Sequence, residues 1–339
     1  MLNFYQQLAT VLQQGPVVLA TVVKVQGSVP REVGAMMLLC SDGSTIGTIG
    51  GGAGEASIIE HARHVLVTGE KQGVNIDLSG NLEYTKQGIC GGKMHVWLER
   101  WQGKSALALA DAIVASLQAG QDRVLMMPFA PARSPYLAAP GSSLATPDFP
   151  AFMTPLLPPP TLLIVGAGHV AVPLAHMAHL IDFRVVVQDD RPEFANQQRF
   201  PDATVLAQPI ATAVTALNTV APLYVALVTR GYQHDLAALR VLLPQSPHYI
   251  GMIGSEKRVK TVLRALQQEG ISGMAPSLVA AQLERIYAPI GLPLGALTPA
   301  EIAISICAEL IAVYRGSDGR SSRRSSVTRA LNTERSHAP

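Results

Sequence analysis

The 339-residue sequence predicts an α/β chain in two parts, a small N-terminal α+β domain followed by a doubly wound parallel-sheet domain. Three observations carry this. From Thr161 onward, short apolar strands alternate with helix-period segments. Before that, the strands cluster around glycine-rich turns. A proline-dense stretch separates the two halves. The predicted limits are 1–105 for the first domain, 106–160 for a helical segment and Pro-rich linker, 161–315 for the second domain and 316–339 for a tail.

In chain order, "MLNFYQQLATVLQQG" reads as a short amphipathic helix ending at Gly15; with no basic region ahead of an apolar core, no signal peptide is expected. The β-branched run "VVLATVVKVQG" is a strand, and "AMMLLCSDGSTIGTIG" gives two strands around a turn at Asp42-Gly43. A helix from about Glu55 places Ile58, Ile59, Ala62, Val65 and Leu66 on one face. "GVNIDL" and "KMHVWLERW" are further strands, flanking a second glycine loop, "GICGG", at 88–92.

Pro128 to Pro160 holds ten of the 24 prolines, so it is expected to be a surface-hugging interdomain linker and not a regular core element. The Ser/Arg-rich tail carries little apolar content and is expected to be disordered. In the second domain the strands are "TLLIVGAG", "FRVVVQDD", "ATVLA", "LYVALVT" and "HYIGMIG". Helices run to about Ile181, from about Asp235 and from about Ser255.

Composition narrows the function classes. Lys plus Arg number 26 against 24 acids, a net +2 that argues against nucleic acid as an obligate partner. No apolar run reaches the roughly 18–20 residues of a membrane span. Cys40, Cys90 and Cys307 are too far apart for a CxxC pair or a disulfide framework, so a reduced, cytoplasmic protein is expected.

Two stretches carry ligand chemistry. Gly166-Ala167-Gly168-His169-Val170-Ala171 follows an apolar strand and opens a helix, meeting the G-x-G-x-x-G/A fingerprint of a Rossmann-like domain. Gly166 makes the turn, Gly168 admits a pyrophosphate to the backbone, and the small Ala171 allows close packing of helix on strand. Asp189, 23 residues after Gly166, stands where an acid accepts from ribose hydroxyls. It favours NAD over NADP, an inference that neighbouring Arg191 weakens. His169 is either a ligand donor or a solvated first-turn residue. His234 and Asp235 lie at the carboxyl end of the sheet, and Asp235 reads equally as a helix N-cap. The second stretch is Gly50-Gly51-Gly52, just before a helix whose first-turn amides suit an anion. Glu55 is the counter-argument, because an acid there already satisfies the helix dipole. Arg31 and Ser28 in "SVPRE" would supply charge and a hydroxyl; the plainer reading of Arg31 is a surface ion pair with Glu32 or another acid.

Taken in order, "GSVPREVGAMM", "GTIGGGAGE", "GICGG", "GAGHVAVPLA", "QDDRPEFA", "MIGSEKR" and "LGALTPAEIAISICAEL" resemble the XdhC/CoxI family, over roughly 10–105 and 160–315. The resemblance implies an accessory protein for molybdenum hydroxylases of the xanthine dehydrogenase type, and a maturation factor in preference to an enzyme. Such a protein holds the molybdenum cofactor (molybdopterin), presents it to a cysteine desulfurase for sulfuration and helps insert it into the apo-hydroxylase. A homodimer is expected. Cys90, framed by Gly88, Gly91 and Gly92, is the expected soft contact to molybdenum or sulfur, its plainer reading being a small residue in a tight turn. Cys40 and Cys307 lie in apolar segments and read as core. Family members often carry a cysteine directly after the triple glycine, where this chain has Ala53, so a mechanism needing two thiols is not expected here.

Two readings compete with the carrier. One is an NAD(P)-dependent oxidoreductase driven by the Rossmann-like half, with His234 moving a proton; the other is a nucleotide-sensing module. Neither needs the N-terminal glycine loops or Cys90, and no His–Asp/Glu–Lys set announces a dehydrogenase.

Overall fold

The computed structural model describes residues 1–78, 91–138, 149–217 and 221–316. The chain divides into two compact units, Met1–Pro159 and Pro160–Pro339.

Unit 1 is built on a five-stranded antiparallel sheet in the order β3-β2-β1-β5-β4, from β1 (Val17–Gln26), β2 (Met36–Leu39), β3 (Thr45–Gly47), β4 (Gln72–Asp77) and β5 (Lys93–Trp101). Strand β1 runs through the centre, and its first six residues are all buried. The period-2 alternation of a strand sends Val18, Ala20 and Val22 to one face, against Ile58, Ala62 and Val65 of α2 (Gly52–Thr68). Val17 and Leu19 go to the other face, against α1 (Leu2–Leu12) and α3 (Gly103–Gln118). A continuous β-branched run is therefore the signature of a strand covered on both sides.

The proline-rich stretch differs from its expected role. A three-stranded antiparallel sheet, β7-β6-β8, forms from β6 (Arg123–Pro128), β7 (Tyr136–Ala138) and β8 (Ala151–Leu156). Leu125, Met127 and Leu156 complete the core beneath α1 and α3. Pro155 is tolerated because β8 is an edge strand, where a missing amide breaks no ladder. Proline density alone concealed these strands.

Unit 2 is a parallel sheet in the order β11-β10-β9-β12-β13, from β9 (Thr161–Val165), β10 (Arg184–Gln188), β11 (Thr204–Leu206), β12 (Leu223–Leu227) and β13 (Tyr249–Met252). Alternation along β9 again splits the core. Leu162 and Ile164 face α4 (Ala171–Leu180) and α9 (Pro299–Tyr314). Leu163 and Val165 face α6 (Tyr232–Leu242), α7 (Glu256–Glu269) and α8 (Pro276–Leu283). The strand order reverses between β9 and β12, and that switch point opens a crevice at the strands' carboxyl ends. Helix α7 is capped by Ser255, as its sequence suggests, whereas α6 begins earlier than expected, with Gly231 as its N-cap.

Candidate functional site

The fingerprint loop of unit 2 follows from its glycines. Gly166 has φ +101, and a Cβ there would stand 2.7 Å from the carbonyl oxygen of Val228, so only glycine permits the loop to lie this close to β12. Gly168 has open space where a Cβ would project, and the amides of Gly168 and His169 donate to no partner among the described residues. Ala171 is fully buried under the helix. The loop is held by the Gly166 amide donating to the Gln188 carbonyl (2.7 Å) and by Arg199 donating to the Ala167 carbonyl (2.7 Å).

Asp189, only 4% exposed, is the hub of the crevice. Its Oδ2 accepts from the Ala167 amide and Arg191 Nη2, each at 2.9 Å. Its Oδ1 accepts from the Arg191 amide at 3.1 Å and Arg191 Nε at 2.9 Å. Burial pulls its carboxyl upward, but the Arg191 side chain and the two amides outweigh that and hold it well below the usual carboxylate range. Arg191 also stacks on Phe194, with its guanidinium carbon 3.9 Å from the ring centroid.

Arg230 reaches in from the end of β12. It forms a fork onto Asp190 (3.2 and 3.3 Å) and donates from Nε to His234 Nε2 at 2.8 Å. The basic nitrogen of His234 is thereby already engaged. Asp235 is not the cap of α6. It is fully buried one turn in, accepting from Thr229 Oγ1 (2.6 Å), Arg258 Nε (2.7 Å) and Arg258 Nη2 (2.6 Å). Two adjoining cavities result. One, of about 350 Å³, is lined by Gly168, His169, Asp189, Arg191, Arg230 and Arg258 among others. The other, of about 220 Å³, includes Gln188, Asp190, Thr229 and His234.

In unit 1 the expected residues also converge. Gly50, Gly51 and Gly52 have φ of +136, +75 and +65, which explains three consecutive glycines by backbone conformation alone. A Cβ on Gly50 would collide with Pro30 Cγ and lie 3.8 Å from Arg31 Cγ, so the 50–52 loop is seated on the Pro30-Arg31 segment. A Cβ on Gly92 would collide with the Ser28 carbonyl oxygen and stand 2.7 Å from that of Gln26. The segments 27–31, 50–52 and 91–92 thus meet at one rim, with Ser28, Arg31, Gly51, Gly52 and Gly91 exposed. Arg31 makes no ion pair among the described residues. Cys90 itself lies outside the described residues. Cys40 and Cys307 are both buried, and burial pushes the Cys307 thiol up to about 12.

The loop amides point inward. Glu55 accepts from Thr48 Oγ1 (2.5 Å), the Ile49 amide (3.1 Å) and the Gly51 amide (3.2 Å), while the Gly50 amide donates to Thr48 Oγ1 (3.0 Å). Desolvation raises the Glu55 carboxyl, but these donors prevail and hold it below the ordinary carboxylate range. Among the described residues, the first-turn amides of Gly52 and Ala53, which no helix satisfies internally, have no other partner and stand open at this rim.

Sequence reasoning missed Arg230 and Arg258 as site residues. Each had a signal: Arg230 directly follows the run "LYVALVT", three residues past the end of β12, and Arg258 ends the motif "MIGSEKR". No group of three or more His, Cys, Asp or Glu among the described residues is placed to hold a metal ion, and none of their helices is long and apolar enough to cross a membrane.

Comparison with known proteins agrees with this two-unit arrangement. Residues 11–77 match the model of the XdhC and CoxI family, and residues 162–310 match that of the XdhC Rossmann domain. The chain is 30% identical to a probable xanthine dehydrogenase subunit of Bacillus subtilis, over 91% of this chain and 97% of that one. It is 27% identical to the uncharacterized protein YqeB of Escherichia coli, spanning 94% of this chain but only 47% of YqeB. A crystal structure described as a xanthine dehydrogenase from Bacillus halodurans superposes with a TM-score of 0.78 at 26% identity, covering 94% of this chain and 97% of that one. The chain belongs to the XdhC and CoxI family.

Proposed function

We propose that this protein is an accessory factor for a molybdenum hydroxylase of the xanthine dehydrogenase type, one that binds the molybdenum cofactor, presents it for sulfuration and helps insert it into the apo-enzyme. The observation that carries the reading is the meeting of segments 27–31, 50–52 and 91–92 at one exposed rim of unit 1. Bare glycine backbone there lets a bulky ligand approach, Arg31 offers a cation with no ion pair among the described residues, and Cys90 is the adjoining residue in the chain. A dehydrogenase has no use for such a rim. The relatives add to this, since the Bacillus subtilis protein, which matches along nearly its whole length, carries the name of a probable xanthine dehydrogenase subunit.

The crevice of unit 2, taken by itself, suits a phosphate-bearing ligand. The amides of Gly168 and His169, with Arg191, Arg230 and Arg258, offer donors around open space. When bound, the cofactor supplies its own metal and dithiolene chemistry; this chain's part is to bind it, orient it and shield it from water. Cys90 would be the soft contact at the metal end. The partners under this reading are the apo-hydroxylase and a cysteine desulfurase, and the chain acts as a homodimer in the cytoplasm.

The test is the pterin content of protein purified anaerobically from cells that make the cofactor, measured as fluorescence after denaturation and oxidation. Near-stoichiometric pterin, reduced in Cys90→Ala, is the expected result. Absence of pterin with NAD(P) in its place would replace this reading with an oxidoreductase.

A further inference from the structure

The hydrogen-bond inventory of the crevice is lopsided. A carboxylate has about four acceptor sites, and Asp189 already receives four donors, from Ala167 N, Arg191 N, Arg191 Nε and Arg191 Nη2. Arg230 Nη1 stands a further 3.7 Å from Oδ1. The acid at the end of the second strand of a dinucleotide-binding sheet ordinarily accepts from a ribose diol. Here that acceptor is spent, and a diol would have to displace a bidentate arginine held from its other side by Phe194. Donors, by contrast, are in surplus. Arg191 Nη1 and Arg258 Nη1 make no hydrogen bond among the described residues, and the Gly168 and His169 amides are open.

Around Asp189, donors to spare beside a carboxylate with no acceptor site left fit a ligand that only accepts. We infer that the crevice selects ligands presenting a phosphomonoester to Arg191, and discriminates against ligands presenting a ribose diol at the same place. Arg191 is the specificity-determining residue, and Asp189 is a positioning residue that holds it there. A phosphomonoester is the stronger partner for physical reasons: it carries close to two negative charges and three acceptor oxygens, and it pairs with a guanidinium in a bidentate fork. The inference rests on the reading that the crevice binds the anionic end of a cofactor. It revises the expectation that Asp189 favours NAD over NADP.

Two sources of the same chemistry exist, a 2′-phosphorylated adenine nucleotide and a pterin monophosphate, and the test separates them. The full chain, freed of bound pterin, is titrated calorimetrically with two pairs of probes. The first pair is adenosine 2′-monophosphate and adenosine, which differ only in the phosphomonoester that replaces one hydroxyl of the diol. The second is the oxidised pterin monophosphate and its alkaline-phosphatase product. The expected result is at least tenfold tighter binding of the phosphomonoester-bearing member in one pair, falling to within threefold in Arg191→Gln. Should that variant fail to fold, the wild-type ratio decides alone. Equal binding within both pairs, a preference for the diol, or no binding by any probe overturns the inference. A preference in the adenine pair alone, from protein that carries no pterin, upholds the inference while sinking the carrier reading. Stoichiometric pterin with no phosphate preference does the reverse.

Discussion

Replacing Asp189 with Asn tests whether the crevice is organised by this carboxylate. The carboxylate takes four donors, two of them from the Arg191 guanidinium, at 4% exposure. An asparagine carbonyl satisfies about two of the four, and its NH₂ is turned against a backbone amide or the guanidinium. Hydrogen bonds to charged groups contribute about 1.5–3 kcal/mol each, and breaking a buried ion pair costs about 3–5 kcal/mol. The Arg191 side chain is 29% exposed and can turn partly to water, so the lower end applies and the expected loss is about 3 kcal/mol. In urea, with a slope of about 2 kcal/mol/M, the midpoint of the unit 2 transition moves down by about 1.5 M with the slope unchanged. The pH dependence separates charge from shape. The folded carboxyl lies below its ordinary value of 3.8, so its contribution is complete above that value and is lost as pH falls toward the folded value. The gap between wild type and Asp189→Asn therefore narrows by about 1 kcal/mol between pH 5 and pH 3. A loss under about 0.5 kcal/mol, or a gap that does not change with pH, would show that the Asp189 carboxylate does not organise the crevice.

Two pairs of substitutions and one labelling experiment follow from the geometry. Gly50→Ala meets both a positive φ and Pro30, and is expected to destabilise unit 1 by about 2–4 kcal/mol, whereas Gly51→Ala, with open space around it, costs only about 1–2 kcal/mol; paired urea melts measure the difference. Arg258→Ala leaves Asp235 fully buried without its cation and is expected to cost about 3–5 kcal/mol, more than Arg230→Ala, whose ion pair with Asp190 is exposed; thermal unfolding ranks the two. Cys40 and Cys307 are buried and are expected to resist alkylation in the folded protein and to react in urea, read by mass spectrometry of labelled peptides.

The sequence was legible where one physical rule dominates. Alternation of strand and helix in unit 2 announces a parallel sheet, and the fingerprint after β9 marks its crevice. The Pro128–Pro160 stretch misled because proline forbids a central strand but not an edge strand, and sheet order is a tertiary fact. Asp235 misled because an acid near a helix start reads as a cap, while its actual partner, Arg258, arrives from a helix 23 residues away. The triple glycine was ambiguous for a similar reason: positive φ, contact with Pro30 and bonds to Glu55 account for much of it before any ligand is considered. What sequence spacing does not show is saturation, and only the geometry reveals that Asp189 has no acceptor left.

Transfer to a client enzyme tests the accessory role most directly. The loaded protein is mixed with cofactor-free hydroxylase of the xanthine dehydrogenase type, in the presence of a scavenger that destroys free cofactor, and xanthine oxidation is followed. For the accessory role to hold, activity must appear with the loaded protein and not with the same protein stripped of pterin. Activity that fails to appear, or that appears equally without this protein, would contradict it.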